Sequence, residues 1–507
     1  MTSESREPGL HTEIPYSFPG TVAAGSIATG HDDLAAGEGS GVVVRVAGRL
    51  MRNRPQGKVA FAELRDWSGA IQLFAIGQVT ERFGEFVRLN LGDWVGVEGE
   101  IVRTRRGELS VQVGSWSLLA EARRSFGDKW RGVNDIEIRH RQREVDLWAN
   151  EGVRETFLFR SAVIRSIRRQ LDDLGFVEVE TPVLQPLAGG ANARPFVTHY
   201  QSMHADYYLR IATELYLKRL VVGGFERVYE IGKNFRNEGL SPKHNPEFTM
   251  LEAYQVYADY AELATLVEDL VATTAKELLG TTVVQTDLGE IDLAPPWRRA
   301  TMEELIEEVT GAHCTIEMGR DELAAAALRL GIEAEPTWGA GRVLAEIYEA
   351  KVEHVLVGPV HVMDYPAEVS PLSRRHRSRE GLVERLTPII AGQEIGEVYS
   401  ELVDPDDQRE RFVAQALAKV AGDQEAMSLD EDFLRALEHG MPPTGGIGVG
   451  IDRLVMILTG KSNIREVILF PALRFDRSAD SSDADDDRSS DAADEDVADE
   501  SGDEGAG

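Results

Sequence analysis

An arginine, an aromatic ring and several carboxylates are concentrated in one short part of the chain, where a loop joins two predicted strands. Residues 235–238 read FRNE, and residues 244–252 read HNPEFTMLE. An arginine there is suited to a phosphate-bearing ligand, because a guanidinium donates paired hydrogen bonds that a lysine ammonium cannot reproduce. The same residues also fit a surface hairpin with a solvated ion pair, and taken alone they favour neither interpretation.

A second string, far along the chain, is rich in glycine and ends in an arginine. Residues 445–453 read GGIGVGIDR. Glycines allow a backbone and a ligand to approach closely, although a glycine run alone is weak evidence. The two strings, in this order, resemble motifs 2 and 3 of the class II aminoacyl-tRNA synthetases, in the form carried by the bacterial lysyl enzymes. Residues 176–182, FVEVETP, resemble motif 1 of that class, which implies a homodimer.

The resemblance implies an AMP-forming ligase that activates L-lysine with ATP and transfers it to the 3′ end of tRNA(Lys). Such a reaction needs mainly positioning and charge neutralisation. The resemblance places Arg236 between the α-phosphate and the substrate carboxylate, and Arg453 at the γ-phosphate. The positions that it assigns to ATP are Arg236, Glu238, His244, Phe248, Gly450 and Arg453, with Phe248 stacked on adenine. For His244, a loop histidine bonded to the backbone is an equally good interpretation.

Substrate choice is argued from charge. A lysine ammonium must be desolvated in its pocket, so it needs anionic partners. The resemblance assigns Glu252, Tyr254 and Glu401 to the side-chain ammonium, and Glu214 and the Gly190 backbone to the α-amino group. The full set of expected lysine-binding positions is Gly190, Glu214, Arg236, Glu252, Tyr254, Tyr399 and Glu401. A single glutamate is more often a surface charge, but their joint occurrence in family strings favours a pocket.

Magnesium is the expected cofactor, since it binds carboxylate and phosphate oxygens. Glu394 matches one metal-ligand position of the family. Thr387 stands where the family normally has an acidic ligand, and a neutral hydroxyl binds magnesium less well, so weaker metal binding or the loss of one ion is expected. Glu397 stands where some members have an asparagine near the substrate carboxylate, and its role is open.

Five short apolar runs near the N-terminus predict a small barrel. They span residues 42–50, 59–64, 70–76, 94–104 and 109–116. This spacing fits an oligonucleotide-binding (OB) barrel, although a sandwich fragment would give a similar pattern. The basic run Arg45, Arg49, Arg52, Arg54 and Lys58, followed by Phe61 and Gln72, favours binding of single-stranded RNA. The resemblance implies that Arg54, Phe61 and Gln72 read the anticodon, whereas an inward-facing barrel residue is the alternative for Phe61.

The chain divides by pattern into five parts. We expect a flexible leader at 1–40, the barrel at 41–122, a linker at 123–150, an α+β catalytic domain with an antiparallel sheet at 151–474, and a disordered acidic tail at 475–507. A helix through Val163, Ile167 and Leu171, capped by Gly175, opens the catalytic domain. A further helix at 260–279 and a helical insertion at 302–353 are also expected.

The amino-acid composition bears on disulfides, nucleic-acid binding and membrane association. The 507 residues carry a formal net charge of −32, and their single cysteine, Cys314, excludes an internal disulfide. Acidity argues against a nucleic-acid partner, but 14 acidic residues lie in the 33-residue tail, which weakens that objection. No apolar run reaches about 18 residues, so we expect no membrane association and a cytoplasmic location.

Three rival functions remain at this point. An aspartyl- or asparaginyl-tRNA synthetase is disfavoured by the acidic pocket. A paralogue that lysylates a protein lacks the anticodon barrel that this chain is predicted to have. A catalytically weakened RNA-binding regulator is favoured by Thr387 and opposed by Arg236 and Arg453.

Overall fold

The computed structural model describes residues 14–31, 33–124, 132–420, 422 and 425–474. The described residues form two compact units. The barrel unit holds those up to Arg139 together with Glu144–Asn150, and the sheet unit holds His140–Arg143 and those from Glu151 onward. The predicted acidic tail lies outside the described residues. Every helix in the described part of the chain is too short or too polar to cross a lipid bilayer.

The barrel unit is a closed barrel of five strands in the order β1-β2-β3-β5-β4, with β3 and β5 parallel. Inward and outward side chains alternate, so that Ala60, Ala62 and Leu64 of β2 are buried inside. The predicted strands are all present, and the OB-type barrel is confirmed. Their bounds are β1 Gly39–Gln56, β2 Val59–Arg65, β3 Ala70–Ile76, β4 Trp94–Arg103 and β5 Leu109–Ala120.

The segment before the barrel differs from the predicted flexible leader. Helix α1 spans Ala24–Gly30, and its Ala24 and Ile27 are buried in the barrel core. The Ala24 amide donates a hydrogen bond of 2.8 Å to Asp66. A helix of seven residues with two buried side chains is too short to give a periodic apolar pattern in the sequence. Three further short helices belong wholly or partly to this region: α2 Phe83–Phe86, α3 Ile136–Arg141 and α4 Arg143–Ala149, the last two within the predicted linker.

The sheet unit is built on a nine-stranded sheet flanked by helices, which confirms the α+β class. Its strands are β6 Val177–Glu178, β7 Leu184–Gln185, β8 Val197–Tyr200, β9 Ala205–Leu209, β10 Arg227–Phe235, β11 Glu247–Val256, β12 Val283–Thr286, β13 Gly289–Asp292, β14 Arg298–Thr301, β15 Val360–Pro366, β16 Leu382–Ile390, β17 Gln393–Glu394, β18 Gly396–Ser400 and β19 Thr444–Gly450. Its helices are α5 Val153–Asp173, α6 Glu214–Val222, α7 Tyr260–Leu279, α8 Met302–Thr310, α9 Arg320–Arg329, α10 Ala340–Lys351, α11 Pro405–Val420, α12 Glu431–Glu438 and α13 Ile451–Thr459.

The order of the large sheet is β14-β15-β16-β18-β19-β11-β10-β6, with β17 paired to β16. Its central strands are antiparallel, as predicted, but the edge strands β14 and β6 pair in parallel, so the sheet is mixed. β6 covers only two residues of the motif 1 string at 176–182. Beyond Glu178, the chain turns away so that Thr181 bonds Glu230 instead of extending the edge.

Local signals in the sequence place the helices. Asp259 forms a capping box with Glu262 at the start of α7, and Thr301 does the same with Glu304 at α8. Gly175 has a φ of +79° just past the end of α5, as the predicted cap requires. α7 has its predicted bounds, and α8, α9 and α10 occupy the predicted helical insertion. α7 and α13 pack on one face of the sheet, which leaves the other face for a site.

Candidate active site

A cavity of about 310 Å³ lies where the loop after β10 meets the end of β19 and the start of α13. We call it the nucleotide cavity. All six positions expected to bind ATP line it: Arg236, Glu238, His244, Phe248, Gly450 and Arg453. Glu394 and Glu397 line the same cavity. Two guanidinium groups therefore face carboxylates across a space that is suited to a polyphosphate with a divalent cation.

Arg236 is held against an aromatic ring. It follows β10 directly, and its amide donates to Pro246 O at 2.9 Å, which closes the β10–β11 loop. Its guanidinium carbon lies 5.1 Å from the centre of the Phe248 ring. A cation over an aromatic face is attracted by the ring quadrupole, and the stack limits the rotamers of Arg236. Arg236 Nε is buried without a hydrogen-bond partner among the described residues, which leaves a donor for a ligand.

Arg453 and His244 form the opposite wall. Arg453 Nη1 donates to Glu394 O at 2.6 Å, and Nη2 lies 3.1 Å from His244 Nε2. A guanidinium can only donate, so His244 Nε2 accepts and the proton sits on Nδ1, which bonds Ser241 Oγ at 2.9 Å. Burial, followed by the charges of Arg453 and Arg236, lowers the pKa of His244. His244 is thus a neutral residue that orients Arg453; it lies in the lining of the nucleotide cavity, and its ring bonds the Ser241 side chain instead of the backbone.

A second cavity, of about 260 Å³, adjoins the first, and we call it the amino-acid cavity. It shares Arg236, Met250, Glu397 and Gly448 with the nucleotide cavity. Of the expected lysine-binding positions, Gly190, Glu214, Arg236, Glu252, Tyr254 and Tyr399 line it. Gly190 has a φ of +88°, and a Cβ there would lie 3.1 Å from that of Ala212, so the turn requires glycine.

Glu401 lies behind the wall of the amino-acid cavity rather than among the described residues that line it. Its carboxylate is 2.5 Å from Lys218 Nζ, and Lys218 also donates to Glu214 at 2.6 Å. The side chain of Lys218 is completely buried. Burial alone would lower the pKa of Lys218, but the carboxylates of Glu214 and Glu401 outweigh it and raise that pKa. An internal ammonium therefore compensates two of the predicted acidic residues.

The carboxylates of Glu214 and Glu252, which line this cavity, are strongly desolvated. Burial raises the pKa of Glu214 to about 8, although the charge of Lys218 opposes the rise. Burial also raises the pKa of Glu252, whose Oε1 accepts from the Thr213 amide at 3.1 Å. Tyr254 donates to the other oxygen of Glu252 at 3.4 Å. Carboxylates with raised pKa values gain from a bound cation, which is what a substrate ammonium offers.

One glycine of β19 makes room for this arrangement. A Cβ on Gly446 would lie 2.0 Å from Glu401 Oε1 and 2.7 Å from Tyr254 Cε1. No heavy atoms approach that closely, so the position requires glycine. By contrast, the protein atom nearest to a Cβ on Gly450 would be Ile395 O, at 3.6 Å, so protein packing alone leaves room there.

Two residues of the site, Asp452 and Arg385, were not predicted from the sequence, because their partners lie far away in the chain. Asp452 accepts from the Thr249 amide at 2.7 Å and lies 2.5 Å from Arg160 Nη1, which joins α13 to β11 and α5. Arg385 lines the amino-acid cavity, lies 4.2 Å from the Tyr365 ring and donates to Glu397. The only signals were that Asp452 sits beside Arg453 and that Arg385 lies in an apolar strand.

Magnesium fits this donor set. The described residues contain no group of three or more His, Cys, Asp or Glu side chains that could enclose a metal by themselves. Magnesium usually takes only one or two carboxylates and completes its shell with phosphates and water, and Glu394 lies at the nucleotide cavity. Burial and the neighbouring Glu397 raise the pKa of Glu394 to about 7.

Comparison with known proteins agrees with these cavities. Residues 135–474 match the family model described as tRNA synthetases class II (D, K and N), and residues 44–119 match the OB-fold nucleic acid binding domain. The lysine–tRNA ligase of Prochlorococcus marinus is 50% identical, covering 91% of this chain and 93% of its own. That of Synechococcus sp. is 52% identical (88% and 90%), and that of Xanthomonas oryzae pv. oryzae is 51% identical (86% and 87%).

The chain belongs to the lysine–tRNA ligases. It spans nearly the whole length of these relatives, and it carries both domains of the class II family.

The OB-fold of this lysine–tRNA ligase family member brings the three expected anticodon-binding side chains onto adjacent strands. Arg54 on β1 faces Phe61 on β2, and Gln72 follows on β3. Phe61 is half-buried and alternates with buried Ala60 and Ala62, so it points outward and is not a core residue of the barrel. Its ring stacks on that of Phe74 with centroids 5.1 Å apart. The result is a half-buried, outward-facing aromatic pair on strands that also carry a cation and an amide.

Part of the basic run has a structural role instead. Arg45 lies 3.5 Å from Glu98 and stacks on Phe18, and Arg49 stacks on Trp94 and Trp148. Arg45 and Arg49 therefore brace the barrel unit.

Proposed function

We propose that this member of the family activates L-lysine with ATP and transfers it to tRNA(Lys). The observation that carries the proposal is the pair of adjoining cavities that share Arg236. The nucleotide cavity combines Arg236 and Arg453 with the carboxylates of Glu394 and Glu397, and the amino-acid cavity holds the buried carboxylates of Glu214 and Glu252 beside Arg236. Guanidinium groups for phosphate, carboxylates for a metal ion, and buried carboxylates for an ammonium are the charges that joining a nucleotide to a cationic amino acid needs.

In the first step, the lysine carboxylate attacks the α-phosphate and pyrophosphate leaves. Arg236 is placed to contact both reacting groups, because it lines both cavities. Arg453, fixed by Glu394 and neutral His244, is proposed to neutralise the γ-phosphate end. Phe248 is proposed to stack on adenine with Arg236 at its edge, and Glu238 and the Gly450 backbone to contact the nucleotide.

Lysine recognition is proposed to follow from the carboxylates. Glu214 and the Gly190 backbone hold the α-amino group, and Glu252 and Tyr254 hold the side-chain ammonium, with Tyr399 against the aliphatic stem. Glu401 contributes through Lys218, because a single ammonium anchors both Glu401 and Glu214. An aspartate side chain would be repelled by Glu252, whereas a lysine ammonium replaces lost hydration with charge-assisted hydrogen bonds.

Lysine–tRNA ligases are ATP-dependent and typically use magnesium. Bound magnesium would neutralise phosphate charge, and Glu394 is the residue that we propose to hold it. The barrel unit is proposed to bind the anticodon of tRNA(Lys) through Arg54, Phe61 and Gln72, with a base stacked on Phe61.

We also propose a homodimer and a cytoplasmic location. Apolar side chains are exposed near the motif 1 strand and its neighbours, including Val177 at 48%, Leu184 at 52% and Met203 at 58%. Exposed apolar side chains of this kind support an interaction surface in this part of the chain. Light scattering should return a dimer mass for active protein, and a monomer mass would remove this part of the proposal. The cytoplasmic location follows from the role of tRNA charging in translation.

The test of the reaction is pyrophosphate–ATP exchange with lysine, aspartate and asparagine in parallel. We expect exchange with lysine alone. Exchange with aspartate or asparagine, or no exchange from folded protein that binds tRNA, would refute the proposed substrate. Glu252→Gln should reduce exchange with lysine while ATP binding is kept, which separates the amino-acid cavity from the nucleotide cavity.

A further inference from the structure

Thr387 and Glu397 lie side by side on neighbouring antiparallel strands. The register of β16 and β18 pairs Leu386 with Val398, so the next position brings Thr387 beside Glu397. Leu386 and Val398 are buried in the core between sheet and helices. Because side chains alternate along a strand, Thr387 and Glu397 project from the opposite face, on the side of the cavities.

Compared with the family pattern that the resemblance implies, the acidic side chain stands at position 397 instead of position 387. The resemblance places an acidic metal ligand at position 387 and, in some members, an amide at position 397. This chain has a hydroxyl and a carboxylate instead. The side chain of Thr387 is 1% exposed, and Thr387 is not among the described residues that line either cavity. This chain therefore carries a carboxylate on the neighbouring strand, and the number of acidic side chains at the two positions is the same as in the family pattern.

We propose that Glu397, together with Glu394, binds the divalent cation that accompanies ATP, in place of the missing acid at position 387. The inference deepens the proposed function and rests on it. Glu394 and Glu397 are three residues apart in the sequence and both line the nucleotide cavity, where Glu394 Oε1 lies 3.6 Å from Arg453 Nη1. Two carboxylates completed by phosphate oxygens and water are a sufficient set for magnesium.

The contacts of Glu397 suit a metal ligand. Arg385 donates to its Oε1, and the Tyr399 hydroxyl donates to its Oε2. These donors fix the orientation of the carboxylate, as the hydrogen bonds to metal ligands do. Each carboxylate oxygen has two lone pairs, so both oxygens can still accept a cation.

If Glu397 only positioned other side chains, the electrostatic repulsion between its carboxylate and that of the substrate would be left without compensation. Glu397 also lines the amino-acid cavity beside Arg236, where the substrate carboxylate is proposed to lie. Two carboxylates facing each other repel, and Arg385 is already shared with Ser370 at 3.1 Å. A cation held by Glu397 would offset this repulsion and supply positive charge beside Arg236, at the boundary of the two cavities.

The test measures metal binding in the absence of lysine and tRNA. Mn²⁺ is titrated into full-length protein with ATP, and the relaxation rate of water protons is followed, since Mn²⁺ in the large protein complex relaxes water faster than free Mn²⁺–ATP. We expect Glu397→Gln, which keeps oxygen and amide groups near Arg385 and Tyr399, to raise the Kd for Mn²⁺ at least about tenfold. ATP binding measured with EDTA should stay within about twofold. Glu290→Gln, a change in the surface hairpin β12–β13, is the matched control and should have no effect.

A double variant moves the carboxylate back. Thr387→Glu with Glu397→Asn should bring the Mn²⁺ affinity to within about threefold of that of the unmodified protein. The inference is overturned if Glu397→Gln binds Mn²⁺ like the unmodified protein, or if it loses metal-free ATP binding in the same proportion. Unmodified protein that binds no ATP with Mn²⁺ would overturn the proposed function as well, so the two failures are distinguishable.

Discussion

Replacing the buried ammonium of Lys218 tests whether it organises the amino-acid cavity. Lys218→Met keeps the length of the side chain and removes its charge, which leaves Glu214 and Glu401 buried without their shared partner. Breaking a buried ion pair from one side costs about 3–5 kcal/mol. With a urea m-value of about 3 kcal/mol/M for a unit of this size, the unfolding midpoint of the sheet unit should fall by roughly 1–1.7 M.

The assay is a urea series read by hydrogen-exchange mass spectrometry, which follows each unit separately. Peptides from β11 and β19 report the sheet unit, and peptides from β3 in the barrel unit are the internal control and should not change. Lys218→Met combined with Glu401→Gln should recover part of the loss, because one uncompensated carboxylate is then removed. A midpoint shift below about 0.3 M, or a double variant no more stable than the single, would refute the reasoning.

Three further predictions concern substrate binding. Because Glu214 must be ionised to pair with the α-amino group and its pKa is raised to about 8, the KM for lysine should fall by up to about tenfold per unit as pH rises from about 6.5 to 8. Glu214→Gln should remove that slope, and a flat profile for the unmodified protein would contradict the prediction. Gly446→Ala places a Cβ against Glu401 and Tyr254, so kcat/KM for lysine in the exchange assay should fall about 5- to 150-fold, with ATP affinity, measured by calorimetry, retained. Phe61→Ala should weaken tRNA binding by about 1–3 kcal/mol in a filter-binding assay and leave lysine-dependent exchange unchanged; equal loss in both would argue against an anticodon role.

The sequence predicted what depends on local strings and periodicity. The barrel strands, α7 and the helical insertion have local patterns, and they are present where the patterns indicated. The strings around Arg236 and Arg453 predicted residues that the fold brings to one cavity, although more than 200 positions separate them, because each string carries its own strand end or helix start.

The rest depends on partners that are distant in the chain. Lys218 lies one helical turn from Glu214, but nothing local shows that Glu401 completes the pair, and a lysine in a helix usually faces solvent. Asp452 bonds residues of two other elements. α1 packs on the barrel through only a few side chains, so its contribution has no periodic signature.

Arg236 has a thermodynamic consequence because it belongs to both cavities. When a ligand binds in one cavity and orders the Arg236 side chain, that side chain loses its conformational entropy. A second ligand that binds in the other cavity then finds Arg236 already ordered. Lysine and ATP should therefore bind with positive cooperativity, and linkage requires that each raise the affinity of the other by the same factor. Through Arg236, the occupancy of each cavity thus changes the affinity of the other cavity for its substrate.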